Sequence, residues 1–333
     1  MKTLITVYES SLKNMVFQRD AIDTLRQFSE VVWVEEGKPY TSEQLAADIG
    51  EFDACLTSWG SPKVTRQVLE QAGNLKFVGH AAGTVVPIVE ECIFDHEIAV
   101  VNANAALAKS TAEAAIAMMM AGAWNLHGYQ AGLQQGRWSA NSKETVLGLY
   151  NQVIGLIGYG DISREVIRLL QPYAPKILLF SRNCSLAEAE GLGVELCSLP
   201  DLLSRSRIIS LHNTLTPATI GMIGRNELAL VQDGSLIVNT ARGPIMDESA
   251  LLEHAASGRL SAVLDVYAQE PLDKDHALLK LPNVMCLPHI GGYSGYWKTR
   301  LGATVIADLE RFVKGESLHG SITRDKFNRL TPR

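Results

Sequence analysis

The sequence predicts an α/β protein made of two doubly wound parallel-sheet domains. Short runs rich in Val, Ile and Leu alternate with helix-like runs along the chain, which is the pattern of parallel sheets covered by helices. The chain has 333 residues, a length that corresponds to about two domains. Both observations favour two consecutive sheets over one large sheet.

Five strands are predicted in the first hundred residues, with helical stretches between them: TLITVY, VVWVEE, ACLTS, LKFVGH and IAVVNA. Thr41 and Gln44 have the spacing of a capping box at the start of one helix. A long helix is predicted to begin near Lys109, where Ser110 and Glu113 have the same spacing. These elements form the first predicted sheet and the helix that leaves it.

Six further strands are predicted from Gln152 onward: QVIGLIG, KILLFS, RIISLHN, SLIVNTA, SAVLDVY and VMCLPH. Their apolar composition is typical of parallel strands that are buried on both faces. A last helix then carries an apolar face that should pack back on the first domain, formed by Trp297, Leu301, Val305, Leu309 and Phe312. We therefore predict one domain from residues 1–103 and 292–333, and a second from residues 104–291.

Composition excludes several classes of protein. A net charge of −6 and a pI of about 5.8 argue against a nucleic-acid partner. The five cysteines are scattered without CxxC spacing, so neither a disulfide framework nor a metal site is expected, and a reducing cytoplasm fits best. The longest apolar stretch, AAIAMMMAGAW, is too short to cross a bilayer. A cytoplasmic protein without a membrane or nucleic-acid partner is predicted.

Polar or small residues follow nearly every strand of the second predicted sheet. In open parallel sheets, ligands bind beyond the carboxyl ends of the strands, where the strand order reverses. The residues placed at this edge are Gly158 and Gly160, Ser181 and Arg182, His212, Thr240, Ala241 and Arg242, Asp265, and His289. Their convergence predicts a ligand site at one edge of the sheet.

The segment GYGDIS, which begins at Gly158, fits a dinucleotide-binding turn between a strand and a helix. Gly158 would make the tight turn, and Gly160 would let a pyrophosphate approach the backbone. The N–H groups of the following helix would then face the phosphates. Ser163 stands in place of the third glycine and is small enough for close packing of the helix on the strand.

A candidate catalytic set lies at the same edge. The guanidinium of Arg242 suits a substrate carboxylate. His289 and Glu270 follow neighbouring strands, and a carboxylate beside an imidazole orients it and favours its protonated form. Such a histidine can donate a proton near pH 7.

Taken together, the motifs of this chain resemble those of the D-isomer-specific 2-hydroxyacid dehydrogenases. The resemblance covers almost the whole chain and rests on five motifs in order: VIGLIGYGDIS, SLHNTLTPATIGMIG, GSLIVNTARGPIMDESALLE, LDVYAQEPL and NVMCLPHIGG. It implies a flavodoxin-like substrate domain, a Rossmann cofactor domain, an active site in the cleft between them, and a homodimer joined through the cofactor domains.

The resemblance also assigns roles to residues. Arg242, Glu270 and His289 match the catalytic arginine, glutamate and histidine, and Asp265 matches the aspartate that holds the nicotinamide carboxamide. The remaining matches are contacts: Asp161 and Ile162 to the cofactor phosphates; Thr240, Ala241, Arg242, His289, Gly291 and Gly292 near the nicotinamide; and Ala82 and Gly83 to the substrate carboxylate. Trp59 is expected to line the substrate pocket. Tyr293, Tyr296 and Trp297 are expected either to close it or to pack at a domain or dimer contact.

Ser181 and Arg182 bear on the choice of cofactor. The residue after the second strand of a dinucleotide-binding unit is usually an acid that binds the ribose hydroxyls of NAD. Here Ser181 would remove the repulsion of a 2′-phosphate, and Arg182 could pair with it. NADP(H) is therefore favoured over NAD(H). In the alternative interpretation, Arg182 faces solvent and the site takes NAD(H).

The predicted function is reduction of a 2-oxo acid to a D-2-hydroxy acid and the reverse reaction, on glyoxylate or hydroxypyruvate or on a larger acid. The alternative is a dinucleotide-sensing regulator similar to the dehydrogenase-related corepressors. Formate dehydrogenases have glutamine where Glu270 stands, so Glu270 disfavours that branch. Oxidation of a phosphonate or of phosphoglycerate stays open as a further alternative, and phosphoglycerate is the less favoured of the two because no regulatory domain is expected after the last helix.

Overall fold

The computed structural model describes residues 1–138 and 146–330. The chain forms two compact units, Met1–Leu107 together with Tyr293–Arg333, and Ala108–Gly292. Each unit contains one parallel sheet covered by helices. The predicted fold class, two doubly wound parallel-sheet α/β domains, is confirmed.

The first unit contains a five-stranded sheet. Its strands are β1 (Lys2–Ile5), β2 (Glu30–Trp33), β3 (Ala54–Thr57), β4 (Phe77–His80) and β5 (Ala99–Asn102). All pairings are parallel and the order is β2-β1-β3-β4-β5, which is the flavodoxin-like order. The five predicted strands are confirmed.

The second unit contains a seven-stranded sheet. Its strands are β6 (Val153–Ile157), β7 (Lys176–Phe180), β8 (Glu195–Leu196), β9 (Ile208–Leu211), β10 (Ser235–Asn239), β11 (Leu260–Leu264) and β12 (Val284–Cys286). The order is β12-β11-β10-β9-β6-β7-β8, so the chain moves outward from β6 to one side and then to the other. This reversal between β6 and β9 is the topological switch point of a Rossmann sheet. The six predicted strands are confirmed, and β8 is an additional short edge strand.

Helices connect the strands in both units. The α-helices are α1 (Ser10–Val16), α2 (Arg19–Arg26), α3 (Ser42–Asp48), α4 (Arg66–Gln71), α5 (Asn104–Ala123), α6 (Leu126–Gln134), α7 (Asp161–Leu170), α8 (Leu186–Leu192), α9 (Leu199–Arg205), α10 (Arg225–Leu230), α11 (Glu248–Ala256), α12 (Gly295–Lys298), α13 (Leu301–Lys314) and α14 (Arg324–Phe327). Short 3₁₀ helices lie at Ile49–Glu51, Glu91–Asp95, Gln171–Tyr173, Gly243–Ile245 and Ala277–Lys280.

Two predicted helix starts have different outcomes. The capping box at α3 is confirmed, since Thr41 Oγ1 accepts from Gln44 N at 3.3 Å and Thr41 N donates to Gln44 Oε1 at 2.9 Å. The predicted start near Lys109 is wrong, because α5 begins at Asn104. Ser110 therefore lies inside the helix, where its hydroxyl donates to the carbonyl of Gly291 at 3.3 Å.

The returning segment packs on the first unit, as its apolar face predicts, but it forms two helices instead of one, with Trp297 on α12 and the other four residues on α13. Leu301, Val305 and Leu309 are fully buried in a cluster that also contains core residues of β1, β3 and β4. The centroid of the Phe312 ring lies 5.5 Å from that of Phe77, with the two ring planes tilted by 52°. Burial of this face holds the carboxyl-terminal segment on the first sheet.

Candidate active site at the edge of the second sheet

The turn after β6 has the geometry of a phosphate-binding loop. Gly158 has a φ of +99°, and a Cβ there would lie 2.5 Å from the backbone N of Asn213. Glycine is therefore required at this position. A Cβ on Gly160 would meet nothing within 4 Å, so open space lies directly over the backbone at the start of α7, where helix N–H groups attract an anion.

Ser163 takes over the packing role of the missing third glycine. It is fully buried in the first turn of α7, and its hydroxyl donates to the Gly158 carbonyl at 2.7 Å. This bond ties the helix to the turn. Asp161 and Ile162 occupy the first two helical positions, so both predicted phosphate contacts lie at the amino terminus of α7.

Several polar side chains of the second unit are buried and have no hydrogen-bond partner among the described residues. Those that follow the carboxyl ends of β9 and β10 are Nδ1 and Nε2 of His212, the amide of Asn213, and Oγ1 of Thr240, whereas Ser206 precedes β9 and Ser210 lies within it. Burial of its ring nitrogens lowers the pKa of His212 to about 4, so the ring is neutral at physiological pH. Buried polar atoms without partners are costly, and the hydroxyl and phosphate oxygens of a dinucleotide at this edge would satisfy those of His212, Asn213 and Thr240.

Ser181 and Arg182 follow β7 and adjoin the same turn, because Gly158 N donates to the carbonyl of Phe180 at 2.9 Å. Ser181 Oγ accepts from Asn183 N at 3.0 Å, which leaves the hydroxyl proton available as a donor. Arg182 is exposed, and its guanidinium has no ion pair with the residues described. No carboxylate stands at the end of this strand.

The turn after β10 presents Arg242. Asn239, which is fully buried, accepts from Ala241 N at 3.0 Å and donates to the Arg242 carbonyl at 3.2 Å. The next residue must be glycine, because a Cβ on Gly243 would overlap the backbone carbonyl of Tyr267. The turn that carries the arginine therefore lies directly against the loop that follows β11.

That loop carries Glu270, which pairs with His289. Nδ1 of His289 lies 2.6 Å from Glu270 Oε2, and the other carboxylate oxygen of Glu270 accepts from Tyr267 N at 3.0 Å. The hydroxyl of Tyr267 donates to the carbonyls of Leu264 at 3.0 Å and Leu287 at 2.8 Å. Tyr267 thus links the ends of β11 and β12 and fixes the glutamate relative to the imidazole.

Asp265 holds the backbone beside the histidine. Its two carboxylate oxygens accept from Ile290 N and Gly291 N, both at 2.7 Å. The side chain is almost completely buried, and burial raises its pKa although the two N–H groups act in the opposite direction. His289 itself has a φ of +55°, a left-handed conformation that is uncommon outside glycine. The aspartate therefore stabilises the strained turn that presents the imidazole.

The substrate-binding residues predicted in the first unit follow β3 and β4. Ala82 N donates to the His80 carbonyl at 2.7 Å, and Ala82 accepts from Ala103 N at 3.0 Å. The loop with Trp59 lies beside this turn, because the Ser58 hydroxyl donates to the Ala81 carbonyl at 3.0 Å. These contacts bring Trp59, Ala82 and Gly83 to one edge of the first sheet.

Two residues of the site were missed by the sequence analysis. Tyr267 lies in a loop, and Asn239 is the last residue of β10. Asn239 could have been found from the sequence, because it is an asparagine at the end of an apolar run.

Among residues 1–138 and 146–330, no cluster of His, Cys, Asp or Glu could hold a metal ion, and no helix is long and apolar enough to span a bilayer.

Comparison with known proteins agrees with this geometry. Residues 116–291 match the family model of the D-isomer specific 2-hydroxyacid dehydrogenase, NAD binding domain. This match covers more than half of the chain. The chain belongs to the D-isomer specific 2-hydroxyacid dehydrogenase family, and its second unit contains the dinucleotide-binding sheet of that family.

Its relatives include enzymes with different substrates. The chain is 34% identical over 317 residues to the D-3-phosphoglycerate dehydrogenase of Methanocaldococcus jannaschii, covering 93% of this chain and 60% of the relative. It is 33% identical over 305 residues to the hydroxypyruvate reductase of Thermotoga maritima, covering 88% and 96% of the two chains. A glyoxylate reductase structure from Paecilomyes thermophila superposes with a TM-score of 0.77, at 27% identity over 98% of this chain and 99% of that one. The chain spans about 60% of the length of the archaeal phosphoglycerate dehydrogenases it matches.

Proposed function

We propose that this protein is an NAD(P)-dependent oxidoreductase that reduces a 2-oxo acid to a D-2-hydroxy acid and also catalyses the reverse reaction. The observation that carries the proposal is the His289–Glu270 pair, 2.6 Å apart, beside a turn that presents Arg242 at the ligand edge of a Rossmann sheet. Residues 104–291 would bind the dinucleotide, and residues 1–103 with 292–333 would bind the substrate.

Each catalytic residue has one role in this proposal. Glu270 orients the His289 ring through Nδ1, and Nε2 donates a proton to the ketone oxygen during reduction. Arg242 binds the substrate carboxylate and stabilises the negative charge that develops on the oxygen. The dinucleotide, when bound, supplies the hydride that reaches C2 as the carbonyl π bond breaks. In the oxidation direction, His289 accepts the hydroxyl proton.

The turns after β6, β9 and β10 would hold the dinucleotide. Gly160 leaves room for the pyrophosphate. The buried polar side-chain atoms of His212, Asn213 and Thr240, which have no partner among the described residues, would form hydrogen bonds with oxygens of the dinucleotide. We favour NADP(H) over NAD(H), because β7 ends without a carboxylate and Arg182 can pair with a 2′-phosphate. The Ser181 hydroxyl supports this choice, because its proton is available for a hydrogen bond to a 2′-phosphate.

A homodimer joined through the cofactor domain is part of the proposal. The region on and beside α6 exposes large apolar side chains, of which Trp124 is 51% exposed, Leu126 56% and Trp138 82%. A second copy of the chain would cover such a patch.

All five cysteines are free thiols in the structure, which supports a cytoplasmic location.

The test is turnover of glyoxylate, hydroxypyruvate, pyruvate, phenylpyruvate and 2-oxoisocaproate, followed separately as oxidation of NADPH and NADH. We expect turnover with at least one acid and a higher kcat/KM with NADPH. The His289→Asn variant should bind dinucleotide and lose turnover. A preference for NADH would contradict the cofactor assignment. Dinucleotide binding without turnover of any acid would favour the alternative, a dinucleotide-sensing regulator.

A further inference from the structure

We propose that Lys298, which lies beside Trp59 and Tyr293 in the first unit, recognises a second anionic group of the substrate. The inference rests on the proposed function and narrows its substrate class. The preferred 2-oxo acids would carry a carboxylate or phosphate at the end remote from the 2-oxo acid group.

The position of the Lys298 ammonium is defined by two aromatic rings. Nζ lies 3.8 Å from the centroid of the Tyr293 ring and 5.9 Å from that of the Trp59 ring. Both distances are within the range of cation–π contacts. Trp59 and Trp297 also pack against the same apolar cluster of the first unit, so one face of the cation-bearing segment rests on the core.

This ammonium lacks a counter-ion within residues 1–138 and 146–330. The segment 293–301 contains Lys298 and Arg300 and no acid. Lys13 provides an internal comparison: it lies 4.5 Å from the Trp33 ring centroid, but it also pairs with Glu36 at 2.9 Å. A lysine that packs on a ring elsewhere in this unit therefore has a carboxylate, and Lys298 has none.

Partial burial makes the missing counter-ion costly. Burial lowers the pKa of Lys298 below its ordinary value, because a cation that leaves water is destabilised unless an anion is near. An anionic group of a ligand would supply the missing charge. The aromatic rings hold the long side chain in place, so little of its freedom remains to be lost on binding.

The location of Lys298 connects it with substrate rather than with dinucleotide. Trp59 belongs to the loop after β3, and the Ser58 hydroxyl ties this loop to the carbonyl of Ala81 at 3.0 Å. Ala82 and Gly83, the next two residues, are the predicted partners of the substrate carboxylate. A substrate whose 2-oxo acid end reaches this turn could place a second anion at Lys298.

The experiment compares pairs of acids that differ mainly in the distal anion: oxaloacetate with 2-oxobutyrate, 2-oxoglutarate with 2-oxopentanoate, and 3-phosphooxypyruvate with hydroxypyruvate. We expect the wild type to prefer the anionic member of at least one pair by about tenfold in kcat/KM, equivalent to about 1.4 kcal/mol. Preference in the carboxylate pairs or in the phosphate pair would identify the anion.

Lys298→Met and Lys298→Gln should lose that preference, mainly through KM of the anionic member, and Lys298→Arg should retain most of it. Lys314→Met is the matched control. It also removes one positive charge, but it lies at the far end of α13, about 20 Å along the helix, where it pairs with Glu310 at 2.6 Å. The control should keep the wild-type preference.

The outcomes separate this inference from the proposed function. Turnover of the uncharged members without preference for any anionic one would overturn the role of Lys298 and leave the reaction assignment intact. Equal losses for both members of a pair in Lys298→Met would show a structural role instead. Absence of turnover for all the acids with both dinucleotides would overturn the proposed function, and this inference with it.

Discussion

Replacement of Asp265 by Asn tests how the structure positions His289, the candidate catalytic histidine. The wild-type carboxylate accepts from Ile290 N and Gly291 N, both at 2.7 Å, in a site where the side chain is 1% exposed. The asparagine oxygen can replace one acceptor, but its NH₂ group would face the other N–H. A buried donor without an acceptor costs about 1–3 kcal/mol.

We therefore expect Asp265→Asn to lower the free energy of unfolding by about 2 kcal/mol. The left-handed backbone of His289 adds about 1 kcal/mol of strain, which the lost bond no longer opposes. The turn should relax and move the imidazole away from Glu270. Because a positioned general acid contributes about 10²-fold or more, kcat for 2-oxo acid reduction should fall by about that factor.

The assay combines urea unfolding with steady-state kinetics of the same preparations. Asp247→Asn is the matched control, because Asp247 caps α11 by accepting from Ala250 N at 3.0 Å, and asparagine caps helices equally well. Unchanged unfolding and unchanged kcat in Asp265→Asn would refute the reasoning. Lower stability with wild-type kcat would show that the imidazole is positioned without this carboxylate.

Three further predictions concern the same edge of the sheet. Burial lowers the pKa of His212 to about 4, from an ordinary 6.5. Between pH 4 and pH 6.5, His212 is therefore protonated in the unfolded chain and neutral in the folded chain. The associated stability is complete above pH 6.5 and is lost as the pH falls toward 4, by about 2 kcal/mol at pH 5; urea unfolding at pH 7 and pH 5 should show this loss in wild type but not in His212→Asn. Gly243→Ala should lower the free energy of unfolding by about 1–3 kcal/mol, because the added Cβ overlaps the Tyr267 backbone. Gly160→Ala should unfold like wild type and should weaken dinucleotide binding in titration calorimetry. Equal free energies of unfolding for the two variants would argue against the close approach at Gly243. Glu270→Gln should lower kcat by about 10²-fold with little change in dinucleotide affinity, and wild-type kcat would remove the glutamate from the mechanism.

The fold was predictable because buried parallel strands have a simple sequence pattern. Each of the six longer strands of the second unit is mostly apolar, and five of the six are followed directly by a glycine or a polar residue. Glu195–Leu196 has two residues, too few to form any pattern. The start of α5 was misplaced because Ser110 resembles a helix cap, although its hydroxyl instead donates to the Gly291 carbonyl at 3.3 Å.

The candidate catalytic residues could be located from strand ends, but the contacts that position them could not. Asp265 and Gly291 are 26 residues apart, and no local sequence pattern indicates that the Asp265 carboxylate holds the backbone of Gly291. The left-handed conformation of His289 likewise depends on that distant carboxylate. Cofactor preference, the substrate-binding residues and the dimer remain predictions, since they depend on ligands and partners.

The placement of Arg242, Glu270 and His289 on a single unit has an evolutionary consequence. Their mutual contacts pass through Tyr267, Gly243 and the ends of three adjacent strands, all within Ala108–Gly292. Trp59, Tyr293 and Lys298 belong to the other unit. Under the proposed assignment, mutations that alter which acid is accepted fall on one unit and leave the candidate proton-transfer residues of the other unit unchanged, so substrate preference can change while the reaction is kept.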